Sequence, residues 1–268
     1  MPTGATPLEV AAARASRRRG LLVLTIVILA WGSIWPVHKV ILERVPPIWL
    51  VALRSAVATG AMLAVAGLRR RFVVPPRGDL PIVLSIALLH MVGFVLLVSW
   101  GLQRVSTGRS VVLAYTMALW VMPGARLFLG EPLTPRRIVG VGAGMLGLTI
   151  LFNPLAFDWS DRSALLGNAA VLGGALLWGA NIVHIRGHRW RSTPFELVPW
   201  ELAIATLIVT PVAALSHSLP SIAWDVGLVG LVVYSGVVGV AIGYWAAATA
   251  GRLLPAVTRR WGSLPLRS

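Results

Sequence analysis

Three side chains stand out because they could do chemistry where charge is expensive. Arg54, Glu201 and His90 each fall inside a long apolar run rather than between runs. In lipid, an ionisable group needs a water-filled cavity, a partner or the headgroups to be tolerated. Arg54 lies about seven residues, or ~10 Å, inside its run. It is read either as a cavity-facing cation that attracts an anionic or zwitterionic substrate, or pairs with an acid, or as a side chain that snorkels outward. Glu201 is read either as a protonatable carboxylate that takes up and releases protons, or pairs with Arg54, or as an interfacial acid. His90 is read either as a proton relay or as a neutral imidazole bonded to a backbone carbonyl.

Aromatic residues supply the walls such a site would need. Trp31, Trp35 and Trp178, with Trp100, Trp120 and Trp245, sit deep enough in apolar runs to line an amphipathic cavity, although each position also suits packing. The spacings Gly140-x3-Gly144 and Gly239-x3-Gly243 are expected to let helices approach closely.

Other chemistries lack their residues. There is no cysteine, which excludes disulfides, thiolate catalysis and Cys-ligated zinc. His184 and His188 have i, i+4 spacing, but no third ligand lies near them and they flank Arg186 and Arg189. A solvated helix end is therefore expected, with no metal and no cofactor. Neither Gly-x-Ser-x-Gly nor Asp-x-x-x-Asp occurs, and no phosphate-binding loop supports direct ATP coupling. The chain does not read as an enzyme, and a membrane-embedded protease or lipid transferase has no nucleophile–base pair to work with.

The elements that must position these residues follow from composition. Of 268 residues 57% are hydrophobic and 12% charged, and the mean hydropathy is +0.80. A soluble domain would carry about a quarter charged residues. Eight apolar runs approach the ~20 residues that cross a bilayer, at 21–42, 48–68, 80–101, 111–130, 137–154, 164–185, 195–215 and 222–249. An all-α membrane protein of about eight transmembrane helices is the expected fold. The first run ends without a small-x-small cleavage site and is expected to remain as the first span.

The net charge is +15, nearly all of it arginine. The arginines sit in short clusters between apolar runs, which is the pattern of cytoplasmic loops rather than a nucleic-acid footprint. With the amino terminus inside, seventeen of the 24 cations fall on the cytoplasmic side and five outside, Arg54 and Arg126 remaining within spans. Both ends are therefore expected in the cytoplasm, in the cell membrane.

Compared with itself at an offset of 147, the chain matches Trp31-Gly32 with Trp178-Gly179, Pro47 with Pro194, and Ala58-Thr59 with Ala205-Thr206. With small shifts Asp79 falls on Asp225, Gly93 on Gly239 and Trp100 on Trp245. Glu201 is then the counterpart of Arg54. Because five spans precede the restart, the second copy enters from the opposite side, an inverted-topology repeat. The expected divisions are a disordered cytoplasmic tail over 1–19, a five-span repeat over 20–155, an incomplete three-span repeat over 164–250 and a basic tail over 251–268. On this logic roughly 30–40 residues of a second repeat are missing.

These residues resemble a known family. Trp31-Gly32-Ser33, Pro47 through Arg54, Pro123 followed by Leu129-Gly130-Glu131-Pro132-Leu133-Thr134, Gly140, Gly144 and Gly147, and Trp178-Gly179 are similar to the EamA-type branch of the drug/metabolite transporter superfamily. The resemblance implies a fold of ten helices in two inverted halves, of which this chain lacks the last two. It also implies a secondary transporter, an exporter or exchanger of small metabolites or amino-acid-like compounds. A small-molecule substrate and the lipid bilayer are the expected partners, a homodimer is compatible with the pattern, and nucleic acid is not expected. A truncated, non-transporting remnant or an assembly subunit is the alternative.

Overall fold

The computed structural model describes residues 7–70, 72–152, 159–216 and 222–253. The protein is an all-α membrane protein. Its helices are α1 (Pro7–Ile41), α2 (Pro47–Leu68), α3 (Leu80–Leu102), α4 (Thr107–Leu129), α5 (Pro135–Phe152), α6 (Arg162–Gly187) and α7 (Pro194–Ser216). The eighth, α8, runs continuously through Val226–Tyr234, Ser235–Ile242 and Gly243–Leu253. All but α5 are long and apolar enough to cross a membrane, and α5 is an 18-residue helix with Arg136 and Arg137 in its first turn. Apart from the start of α1, these bounds lie within a few residues of the expected runs.

Helix ends follow the local chemistry. Pro47, Pro135 and Pro194 open α2, α5 and α7, where a missing N–H costs nothing. Asp161 and Asp225 cap α6 and α8, accepting from the backbone N–H of Ala164 at 3.0 Å and of Leu228 at 2.7 Å. Gly130 closes α4 with φ +67°, a left-handed turn that a side chain would strain. The unstructured tail expected over 1–19 is not seen over 7–19. That stretch extends α1, as its alanine-rich run Ala11-Ala12-Ala13 favours. Residues 1–6 and the basic tail beyond 253 lie outside the described residues.

The bundle is built on four close pairs: α2 with α7, α1 with α8, and α6 with both α3 and α4. In α2 and α7 the small buried residues Ala58 and Ala205 bring the backbones together, and the hydroxyls of Thr59 and Thr206 hydrogen-bond at 3.1 Å. Their numbers differ by 147. Gly101 on α3 lies so close to α6 that a Cβ there would stand 2.6 Å from the Gly167 carbonyl oxygen. At Gly239 and Gly243 a Cβ would stand 2.5 Å from α1, against Ile34 and Trp31. A Cβ at Gly144 would stand 3.0 Å from the Leu119 side chain, but Gly140 borders open space and holds no helix, because α5 touches the bundle mainly through α4.

Two helices depart from α geometry. In α3 the segment Ile86–Phe94 and in α8 the segment Ser235–Ile242 are π-helical. Such a segment widens the turn and resets which residues face inward, and it recurs at functional sites. Shifted by 146 residues, the first overlaps the second.

Candidate functional site

The π segments face a cavity at the centre of the bundle. α1 contributes Trp31, Trp35 and His38, spaced along one helical face. Arg54 comes from α2, His90 and Phe94 from the π segment of α3, Tyr115 from α4, Trp178 from α6, and Gly239 and Tyr244 from α8. Five of the six residues expected to act on substrate or coupling thus meet in one place. The sixth, Glu201, does not line the cavity.

The walls are stacked rings. The His90 ring lies nearly parallel to Trp178, centroids 5.3 Å apart, and Phe94 and Tyr115 pack on the same indole at 4.8 and 5.8 Å. Trp31 meets Tyr244 edge-on at 5.9 Å. The Tyr244 hydroxyl and His90 Nδ1 are hydrogen-bonded at 2.9 Å, so His90 has a side-chain partner where a backbone carbonyl was one expectation. On the far wall His38 Nε2 and the Ser235 hydroxyl lie 2.8 Å apart.

Arg54 gives this cavity its charge. It is 8% exposed and borders the cavity, so it does not reach outward to the headgroups. Its guanidinium acts electrostatically on His38, His90 and Tyr244, none of them acidic at neutral pH, and no carboxylate among the described residues pairs with it. Glu201, 2% exposed, forms no ion pair with Arg54 either, although both lie within electrostatic reach of the Tyr244 hydroxyl. A guanidinium in this aromatic setting presents paired N–H donors to which a carboxylate can bind as a bidentate acceptor.

A second cavity opens beyond the first, where the ends of α2, α7 and α8 meet. Met62, Arg69, Glu196, Trp200, Trp245 and Thr249 are among its lining residues. Trp200 Nε1 donates to the Val73 carbonyl at 2.8 Å, and the Arg69 guanidinium lies over the Phe195 ring at 5.8 Å. Tyr244 borders the central cavity while its neighbour Trp245 borders this vestibule.

Two carboxylates tie the ends of the bundle. Asp79, fully covered before α3, accepts from the backbone N–H groups of Arg191 at 3.1 Å and Ser192 at 2.8 Å, and pairs with His188 Nε2 at 2.9 Å. His188 is therefore part of a clamp, not the solvated end expected of it. At the other end Asp225 pairs with Arg44. Arg44 and Arg191 differ by 147 and Asp79 and Asp225 by 146, so the two ties stand at matching places in the self-comparison. Glu131 pairs with Arg137 at 3.1 Å and with Arg186 at 2.8 Å.

Tyr244, His38, Phe94 and Tyr115 were not singled out from sequence. The available signal was rarity: only three tyrosines occur, and Tyr115 and Tyr244 both line this cavity. His38 was legible as the residue one turn beyond Trp35 on the Trp31 face.

Comparison with known proteins agrees with this architecture. The model of the EamA-like transporter family matches residues 18–153. The uncharacterized transporter YoaV of Bacillus subtilis is 25% identical over 210 residues, covering 78% of this chain and 72% of that protein. A probable amino-acid metabolite efflux pump of Escherichia coli is 29% identical over 240 residues, covering 85% and 76%. One solved crystal structure shares the fold with a TM-score of 0.62 at 22% identity, over 87% of this chain and 79% of the other.

Proposed function

From the premise that the chain belongs to the EamA-like transporter family, and is a multi-pass membrane transporter, we propose that it is a secondary exporter or exchanger of small amino-acid-like carboxylates. The observation that carries this reading is a buried guanidinium, Arg54, set in an aromatic cavity with no acid among the described residues paired to it. A ligand carboxylate supplies the missing charge and the stacked rings of Trp31, Trp178 and Phe94 receive an apolar side chain. The relative described as a probable amino-acid metabolite efflux pump supports the same class. The test is counterflow in proteoliposomes. Vesicles loaded with unlabelled L-phenylalanine or L-leucine are expected to accumulate the labelled amino acid, and vesicles loaded with the decarboxylated amine are not. Failure of both amino acids to exchange overturns the reading.

The five-plus-three inverted repeat is part of the same proposal. It is supported by the contact of Thr59 with Thr206, which residues near an axis relating α2 to α7 would make, and by the matching π segments. The arginine distribution supports a plasma-membrane orientation with the loops at Arg70 and Arg191 in the cytoplasm and Asp161 outside. Reporter fusions at Arg70 and Arg191 should behave as cytoplasmic and a fusion at Asp161 as external. An external signal at Arg191 would overturn this orientation.

A further inference from the structure

We infer that the central cavity is matched to α-keto acids, carboxylates with the carbon skeleton of an amino acid but a ketone in place of its ammonium. The inference rests on the transporter reading above and narrows its substrate class. What carries it is an imbalance of donors over acceptors along the cavity wall. Arg54 is buried and borders the cavity, and its guanidinium hydrogen-bonds to nothing among the described residues. The indole N–H groups of Trp35 and Trp178 likewise meet no acceptor among the described residues, and neither nitrogen is sealed from a small ligand. Side-chain acceptors are scarce. No aspartate or glutamate among the described residues lines this wall. The Tyr244 hydroxyl and His90 Nδ1 are committed to each other at 2.9 Å, and His38 Nε2 to the Ser235 hydroxyl at 2.8 Å. The Tyr115 hydroxyl and the second nitrogen of His38 are left, and neither is an anion.

A primary ammonium brings three N–H donors and a positive charge. Here its donors compete with those of the wall for too few acceptors, and its charge joins that of Arg54 with no carboxylate of the protein to offset either. The opposing effect is the attraction of a cation to the indole faces. That attraction steadies the charge but satisfies no N–H group, so the ammonium stays the poorly matched end of an amino acid. An α-keto acid presents acceptors only. Its carboxylate receives the Arg54 guanidinium in a bidentate contact, and its ketone accepts from an indole N–H or from the Tyr115 hydroxyl. Its apolar side chain lies against Phe94, Val95 and Val98. Its single negative charge cancels that of Arg54, whereas an amino acid zwitterion leaves the pair one positive charge in excess.

L-Leucine and α-ketoisocaproate share a carbon skeleton, so comparing them isolates the exchange of ammonium for ketone. In proteoliposomes that counterflow labelled L-leucine, α-ketoisocaproate should half-inhibit at about one tenth of the concentration that unlabelled L-leucine needs, the scale of one unmade buried hydrogen bond. It should also raise the melting temperature of the protein in detergent at lower concentration than L-leucine does, a readout that needs no transport. Isoamylamine, which has no carboxylate, should do neither. In Arg54→Gln the advantage of the keto acid should fall to about unity or reverse, because the amide removes the charge that favours an anion. Equal or tighter binding of L-leucine by wild type overturns the inference and leaves the transporter reading standing, as does a full keto-acid advantage retained in Arg54→Gln. Absence of leucine counterflow fails the amino-acid reading first. The melting comparison then decides the ligand class by itself: stabilisation by the keto acid at lower concentration supports the inference, and equal stabilisation overturns it.

Discussion

Arg54→Ala is expected to lower amino-acid flux by about 10- to 100-fold while leaving the bundle folded. The loss follows from the charge-assisted contact that Arg54 offers a carboxylate, about 1.5–3 kcal/mol for hydrogen bonds to charged groups. Stability should move the other way or not at all. Arg54 is 8% exposed and has no ion-pair partner among the described residues, so in the empty protein it is a buried cation whose removal relieves desolvation. Arg54→Lys should fall between, because an ammonium keeps the charge but loses the planar fork. The check is counterflow beside thermal unfolding of the same three preparations. A flux loss that tracks a melting loss would return Arg54 to a structural role, and wild-type flux in Arg54→Ala would remove it from the site.

That residue shows what kind of information the sequence carried. A lone charge in an apolar run is legible because its cost is local and large, so Arg54, Glu201 and His90 could be picked out with no knowledge of neighbours. The helices were legible for the same reason, since hydropathy, prolines and arginine clusters mark each end. Direction around a helix was not. In a span apolar on every side, no polar face tells which residues turn inward, so Tyr244 and Phe94 were missed although they are as near the centre as Trp178. The π segments add to the difficulty, because a wider turn shifts the inward face from the ordinary helical spacing. Gly140 failed for a related reason: small-residue spacing says a helix could pack closely there, and only the position of α5 at the edge decides that none does.

The two ties at the bundle ends should differ in strength although they stand at matching places in the repeat. Asp79 is covered, if only shallowly, and satisfies two backbone N–H groups and an imidazole, whereas the Asp225 side chain is 54% exposed and its pair with Arg44 competes with water. Asp79→Ala leaves the Arg191 and Ser192 amides without an acceptor, and is expected to cost about 1.5–3 kcal/mol of stability. Asp225→Ala should cost less, because surface pairs are weak and water replaces the partner. Burial by itself pushes the Asp79 carboxyl up, but the hydrogen bonds from His188, Arg191 and Ser192 outweigh it and hold the group at about 2, below the usual 3.8. A carboxyl depressed in the folded protein favours folding only while it is ionised. The contribution of Asp79 is therefore fully present above about pH 4 and is lost as pH falls through about 2. Thermal unfolding in detergent from neutral pH downward should show a constant gap between wild type and Asp79→Ala, narrowing below about pH 4. Salt should shrink the smaller Asp225→Ala effect and leave the Asp79→Ala effect nearly unchanged, because only the exposed pair is screened. Equal losses for the two substitutions, or a gap at Asp79 that widens with acid, would show that the inner clamp is no stronger than the outer one.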